Sequence, residues 1–363
     1  MPNYLTLDDG SKLNFLDKDP LIYFNKVNLF YGESGFGKGK LIEEAMFLLK
    51  DMIPVWFVVS PTNSQNRQYT NKLDSVFIKT EISVEFIELL YKRQMDAGEV
   101  YAQANQIQVL AELFKKCSDA LTANKVDQIK KATARQGVAT NKNRSLDPSA
   151  KKAHLEAIRK TEHKYLTEIY KAAIRFNRDK LERRSDLSPE EKTSIKFLDL
   201  NPNIGIIFDD CAAEVKKWGK AEVTKKLFYQ SRHCHTTSFW AFQDDHDITP
   251  PLRKNGRNNF FTTPECATSY FSTKTNSQSA TTRKRATLAI EKCFKQDLPV
   301  EHYRKLVYIK GISDPLQYTV ADEYDEFKLG GKSSWDFAKS IPRKSTSEVS
   351  KKNPYMHKYI FTD

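Results

Sequence analysis

The stretch NLFYGESGFGKGK constrains this chain more than any other. Apolar residues end at Tyr31, Gly32 opens a short loop, and Gly37 and Lys38 follow after four residues. An amphipathic pattern then begins, with Leu41, Ile42, Ala45, Met46, Leu48 and Leu49 on its apolar side. A strand, a glycine-rich turn and a helix in that order present unpaired N–H groups and partial positive charge, a ready site for an anion. The turn glycines open backbone conformations closed to other residues. The N–H groups of Gly32, Glu33, Ser34, Gly35, Phe36, Gly37, Lys38, Gly39 and Lys40 can therefore wrap phosphate oxygens. Lys38 is placed to set an ammonium between β and γ phosphates. ATP with Mg2+ is the expected ligand. Gly39 departs from the pattern: Ser or Thr there would supply a metal-binding hydroxyl, and glycine also weakens the first helical turn by about 1 kcal/mol. Water is the expected replacement, so metal binding is expected to be reduced and not lost.

A phosphate loop needs an acid at the tip of another strand. NIGIIFDDC supplies one, with Ile204, Ile206, Ile207 and Phe208 forming an apolar run that ends in Asp209 and Asp210. Two carboxylates at the end of a buried strand are costly unless they meet a cation. Asp209 is the expected Mg2+ holder, and Asp210 the group that orients or deprotonates an attacking water. Further on, QSRHCHTTSFWAFQDD predicts a third buried strand with Gln243 at its end, in reach of a γ phosphate or lytic water. Arg232, just before that strand, is a candidate for a guanidinium that reaches a neighbouring subunit's site, with Arg253 as its competitor. By spacing alone, each arginine fits a structural or DNA-facing charge better than a finger. His233, Cys234 and His235 lack a second pair at zinc spacing, and adjacent strand residues point to opposite faces, so no metal site is expected there.

The remaining pattern surrounds these motifs with short apolar strands and helices. Strands are predicted over 27–31, 55–59, 75–78, 204–208, 237–242, 259–262, 305–310 and 317–320, and helices over 38–49, 83–95, 212–229 and 282–295. Apolar strands joined by helices indicate a mostly parallel sheet covered on both faces. Between Lys115 and Asn201, 21 Lys and Arg face 12 Asp and Glu, in a stretch with almost no strand signal. Leu155, Ile158, Tyr165, Ile169, Ala172 and Phe176 recur there at helical spacings, and TARQGVATNKNRSLDPSA reads as a loop. The expected organisation is an ATPase core in two parts, 1–110 and 201–330, split by a basic helical insertion over 111–200 and followed by a basic tail, 331–363, that ends in an aromatic hook.

The chain carries a net charge of +12, which favours a polyanionic partner. No apolar run approaches the ~20 residues of a membrane helix, and the N-terminus has no export-signal pattern. Five scattered cysteines (Cys117, Cys211, Cys234, Cys266 and Cys293) argue against a disulfide framework and for an intracellular setting.

Taken together, FYGESGFGKGK, VWFVVSPTNSQN, IGIIFDDC and SRHCHTTSFWAFQDD resemble the DNA-packaging ATPases of large double-stranded DNA viruses, a branch of the FtsK–HerA superfamily of P-loop NTPases. The similarity covers roughly residues 25–265 outside the insertion. It implies a RecA-like α/β fold, Lys38 on the phosphates, Asp209 with Mg2+, Asp210 as catalytic acid position, Gln243 as sensor and Arg232 as a finger acting in trans. It also implies a homo-oligomeric ring that pumps double-stranded DNA of any sequence into a capsid, with a capsid or vertex protein as partner. The setting would be the host cytoplasm, the viral assembly site or the virion. Gly39, and Asp210 where many relatives have Glu, depart from the family. DNA-gripping candidates are the insertion, the basic residues at 253–257, and Arg283, Lys284 and Arg285. Three other readings compete: a nucleotide-binding structural or regulatory protein with weakened hydrolysis, a DNA pump or helicase-like motor outside packaging, and a P-loop kinase for a small molecule. The kinase reading lacks any acceptor-binding signature.

Overall fold

A computed structural model describes residues 3–276, 278–295 and 303–341. The strands are β1 (Tyr4–Thr6), β2 (Lys12–Phe15), β3 (Val27–Tyr31), β4 (Val55–Val59), β5 (Ile78–Lys79), β6 (Ile204–Phe208), β7 (Thr236–Phe242), β8 (Asn258–Phe261), β9 (Lys305–Ile309) and β10 (Leu316–Thr319). The helices are α1 (Lys38–Leu49), α2 (Asn63–Asn66), α3 (Val84–Ala104), α4 (Ile107–Cys117), α5 (Ala120–Lys142), α6 (Pro148–Phe176) and α7 (Arg178–Glu182). They continue with α8 (Pro189–Lys196), α9 (Ala212–Trp218), α10 (Glu222–Gln230), α11 (Pro250–Asn255), α12 (Pro264–Ser272), α13 (Ala280–Phe294) and α14 (Lys332–Ser340). The chain divides into two compact units, residues 97–200 and the remainder.

The larger unit is an α/β structure around one sheet in the order β1-β2-β10-β9-β8-β3-β7-β6-β4-β5. From β8 to β5 every pairing is parallel, while β8 with β9, β9 with β10 and β1 with β2 are antiparallel. Every residue of β3, β4, β6 and β7 is buried, so both faces are covered, as apolar parallel strands require. Aromatic side chains fill the two layers. Phe208 stacks on Trp240 at 3.7 Å between ring centroids, and Phe30 on Phe260 at 4.7 Å. The parallel connections bring the carboxyl ends of β3, β7 and β6, neighbours in the sheet, to one edge.

Local chemistry accounts for the departures from the sequence pattern. Residues 75–77 form a 3-10 turn, not a strand, because the Asp74 side chain accepts the Val76 N–H and β5 begins only at Ile78. The helix expected over 212–229 breaks after Trp218, where Gly219 is a poor helix former and Ala221 is extended. β1 and β2 escaped the pattern because they are short strands beside a turn at Gly10. The stretch read as a tail contains α14, anchored by Trp335 Nε1 donating to the Leu329 carbonyl at 2.9 Å and by buried Phe337 and Ala338. The aromatic hook lies outside the described residues.

The unit of residues 97–200 is helical with its own core of Leu110, Leu113, Phe114, Val126, Leu166, Tyr170, Ile174, Leu181 and Ile195. The buried face of α6 is therefore Leu166, Tyr170 and Ile174, whereas Tyr165 and Phe176 are 53% and 89% exposed. Of the expected face, Ile169 packs against this core, while Tyr165, Ala172 and Phe176 lie outside it because several spacings share the helical period. The expected loop shrinks to residues 143–147: the alanine-rich sequence carries α5 to Lys142, and Asp147 caps α6 by accepting from the N–H groups of Ser149 and Ala150.

Candidate nucleotide site

β3 delivers the chain to the loop at Gly32. A methyl group there would lie 1.8 Å from Thr262 Oγ1, so only glycine lets the loop pass the end of β8. Gly37 takes a left-handed conformation (φ 85°) directly before α1, which turns the chain into the helix without a side-chain cap. Lys38 then projects back along the loop. Its Nζ donates to the carbonyls of Gly32 and, at 2.9 Å, Glu33, spanning the hollow that a phosphate would occupy. Burial holds its pKa below the ordinary lysine value, opposed by the charges of Asp209 and, more weakly, Asp210.

Asp209 follows β6, its N–H donating to the Val59 carbonyl at 2.9 Å, and Tyr69 Oη donates to Asp209 Oδ2 at 3.0 Å. Burial raises the carboxyl's pKa, as does neighbouring Asp210, against the hydroxyl of Tyr69 and the charge of Lys38. Lys38 and Asp209 are thus both pushed toward their neutral forms. Asp210 is exposed in a left-handed conformation (φ 58°), which turns the chain sharply off the strand. Gln243 lies exposed just past β7, between the ends of β3 and β6, and its carbonyl accepts from Cys266 Sγ at 3.1 Å. Lys38, Asp209, Asp210 and Gln243 therefore share the carboxyl edge of three neighbouring strands. The Asp209 carboxylate offers an oxygen ligand to a hard cation, and the glycine loop and the Lys38 ammonium beside it suit the anionic oxygens of a polyphosphate. This is an α/β fold with a glycine-rich strand–loop–helix turn at the carboxyl edge of its parallel strands.

Arg232 is not part of that cluster. It is exposed on the turn before β7, at the opposite edge, and the seven residues of β7 span roughly 20 Å. Arg253 is removed from both the finger and the DNA-facing roles: it is 3% exposed and paired to the fully buried Asp245, whose oxygens also accept from Ser269 Oγ at 2.7 Å and Asn276 Nδ2 at 3.2 Å. A long arginine beside an acidic turn became an internal pair because its own helix faces the core. Arg285 is likewise tied, to Asp314 at 2.8 Å and the Lys12 carbonyl at 2.9 Å. Asp244, Asp245 and His246 form the one group with metal-ligand proximity among the described residues, and Asp245 already serves Arg253 there. All five cysteines are free. Among the described residues no helix is long and apolar enough to cross a membrane. Sequence reasoning missed Gln68 and Tyr69, which approach Gly39 and Asp209 from the loop after β4.

No protein-family model matches the chain. The uncharacterized protein B354L of African swine fever virus is 26% identical over 376 residues in a South African tick isolate, covering 99% of each chain. In a Kenyan pig isolate it is 25% identical over 373 residues, covering 98% of each. The uncharacterized protein 075L of invertebrate iridescent virus 6 is 40% identical over 68 residues, which are 19% of this chain and 26% of that one. Among solved structures, the genome packaging NTPase B204 of Sulfolobus turreted icosahedral virus 2, in complex with sulfate, aligns over 86% of this chain and 100% of its own, with 11% identity and a TM-score of 0.35. The pCW3 conjugation coupling protein TcpA, solved with ATPγS, aligns over 89% and 67%, with 13% identity and a TM-score of 0.37.

Proposed function

We propose that the protein is an ATP-hydrolysing motor of the FtsK–HerA type that moves double-stranded DNA, and that its cargo is a viral genome entering a capsid. The observation that carries this reading is the meeting of Lys38, Asp209, Asp210 and Gln243 at one sheet edge, with Arg232 at the other. Lys38 would exchange the carbonyls of Gly32 and Glu33 for β and γ phosphate oxygens, gaining charge-assisted bonds that its burial strengthens. Asp209 would hold Mg2+, which supplies charge neutralisation on the triphosphate. Asp210, exposed beside it, would orient or deprotonate the attacking water, and Gln243 would report the γ phosphate to β7. Arg232 cannot reach this site in its own chain, so a catalytic role for it requires a neighbouring subunit, in a ring. The net charge of +12 supports a sequence-independent grip on duplex phosphates, and full-length similarity to African swine fever virus proteins supports a viral setting at the host assembly site.

Hydrolysis measured with and without duplex DNA tests the reading. Mg2+-dependent turnover should rise with DNA, vanish in Lys38→Ala and fall at least about 100-fold in Asp210→Asn, the range for loss of a general base. Unchanged turnover in both variants rejects it. Arg232→Ala subunits mixed into wild-type assemblies should depress activity beyond their proportion; a strictly proportional fall removes the role in trans.

A further inference from the structure

Gly39 leaves a gap at the start of α1, and Gln68 fills it. A methyl group on Gly39 would lie 2.7 Å from Gln68 Nε2, 3.5 Å from Cδ and 3.7 Å from Oε1. A serine or threonine hydroxyl begins one bond beyond that methyl, so the carboxamide takes up the volume the hydroxyl would have claimed. The placement comes from a folded loop. Asn63 Oδ1 accepts the Tyr69 N–H at 3.2 Å, and Arg67 ends α2 in a left-handed conformation (φ 52°). Tyr69 is fully buried and donates to Asp209 at 3.0 Å. Two consecutive residues, Gln68 and Tyr69, thus reach the two halves of the expected metal site, one at the loop and one at the acid.

We infer that Gln68 replaces the hydroxyl missing at Gly39 and that its carboxamide helps to hold the magnesium ion of the bound nucleotide. The inference rests on the nucleotide reading of the loop. Mg2+ prefers oxygen ligands and keeps several waters, so a site needs few protein groups, and a neutral amide oxygen can stand in for a neutral hydroxyl. Rotation of the terminal amide exchanges its oxygen and nitrogen ends, so the oxygen can face the ion. The Gly39 and Gln68 positions then form one device: a side chain at residue 39 and the carboxamide of residue 68 compete for the same space.

Affinity for a fluorescent ATP analogue, titrated with Mg2+ and in EDTA, tests this together with Mn2+ occupancy read by electron paramagnetic resonance. Gln68→Ala should weaken binding of the Mn2+–nucleotide pair about 10- to 100-fold, the range for lost support of a metal. Its binding in EDTA and its melting temperature should stay at wild-type values. Gln68→Glu, which keeps an oxygen, should retain metal affinity. Gly39→Ser should bring no gain beside Gln68, and should restore Mn2+ affinity in the Gln68→Ala background. Wild-type Mn2+ affinity in Gln68→Ala, or an equal effect of Gly39→Ser in both backgrounds, overturns the inference and leaves the loop reading standing. A wild-type chain that binds no nucleotide at all overturns both.

Discussion

The two edges of the parallel sheet are built to opposite specifications. At the amino edge, the side-chain N–H groups of Asn28 and Asn258 find acceptors within the chain. Asn28 donates to the carbonyls of Tyr23 at 3.2 Å and Ser238 at 3.1 Å, and Asn258 donates to the Ile22 carbonyl and to Asn28 Oδ1, both at 2.7 Å. At the carboxyl edge the same strands run out into a glycine loop and carboxylates. There burial pushes Lys38 down and Asp209 up in pKa, each away from its charged form. Neutral groups with internal partners lock one edge. The other holds charges whose desolvation the chain itself compensates only in part, and a ligand carrying both anionic oxygens and a cation would compensate the rest.

Substitutions at the two edges should therefore separate binding from stability. The largest effect is expected for Asp209→Asn, which keeps an acceptor for Tyr69 and removes the half-buried charge. Nucleotide affinity in Mg2+ should drop about 10- to 100-fold while the melting temperature holds or rises. At the amino edge, Asn28→Ala strips buried carbonyls of their donor and should cost about 1–3 kcal/mol in urea unfolding, with nucleotide affinity unchanged. A fall in stability for Asp209→Asn, or a fall in affinity for Asn28→Ala, would break the contrast.

β9 offers the finest version, because it runs between the edges with buried Lys305 at one end and half-buried Lys310 just past the other. Lys305 lies beneath the loop, where a methyl group on Gly37 would be 3.3 Å from its Cε. Lys310 donates to the last carbonyls of α11, Arg253 at 2.9 Å and Lys254 at 3.0 Å. Burial pushes both down to about 8 from 10.5. Between those values the unfolded chain binds more protons than the folded one, so stability should rise with pH from about 8 to about 10.5. Unfolding at stepped pH should show the slope, and Lys310→Met should flatten part of it. Bound nucleotide should flatten the part belonging to Lys305 and spare that of Lys310.

The sequence was most legible where one local pattern determined the element and its bounds. The β3–loop–α1 unit, β4 and β6 fall on the residues their patterns assign. What stayed hidden depends on contacts between distant residues. Tyr69 meets Asp209 across 140 positions, and no spacing announces it. Gln68 is invisible for the same reason, since its meaning comes from an absence at Gly39. Arg253 and Arg232 look alike in sequence, and only the packing of α11 buries one and leaves the other on a turn. The faces of α6 were ambiguous because its apolar residues admit more than one stripe at helical period.

The central claim is that a triphosphate sits within residues 32–40. A crystal structure with ATPγS and Mg2+ tests it most directly. The account predicts Lys38 Nζ moved from the carbonyls of Gly32 and Glu33 onto the β and γ phosphates, with Asp209 facing the ion. ATPγS bound elsewhere on the chain, or Lys38 still on those carbonyls beside a vacant loop, would contradict it.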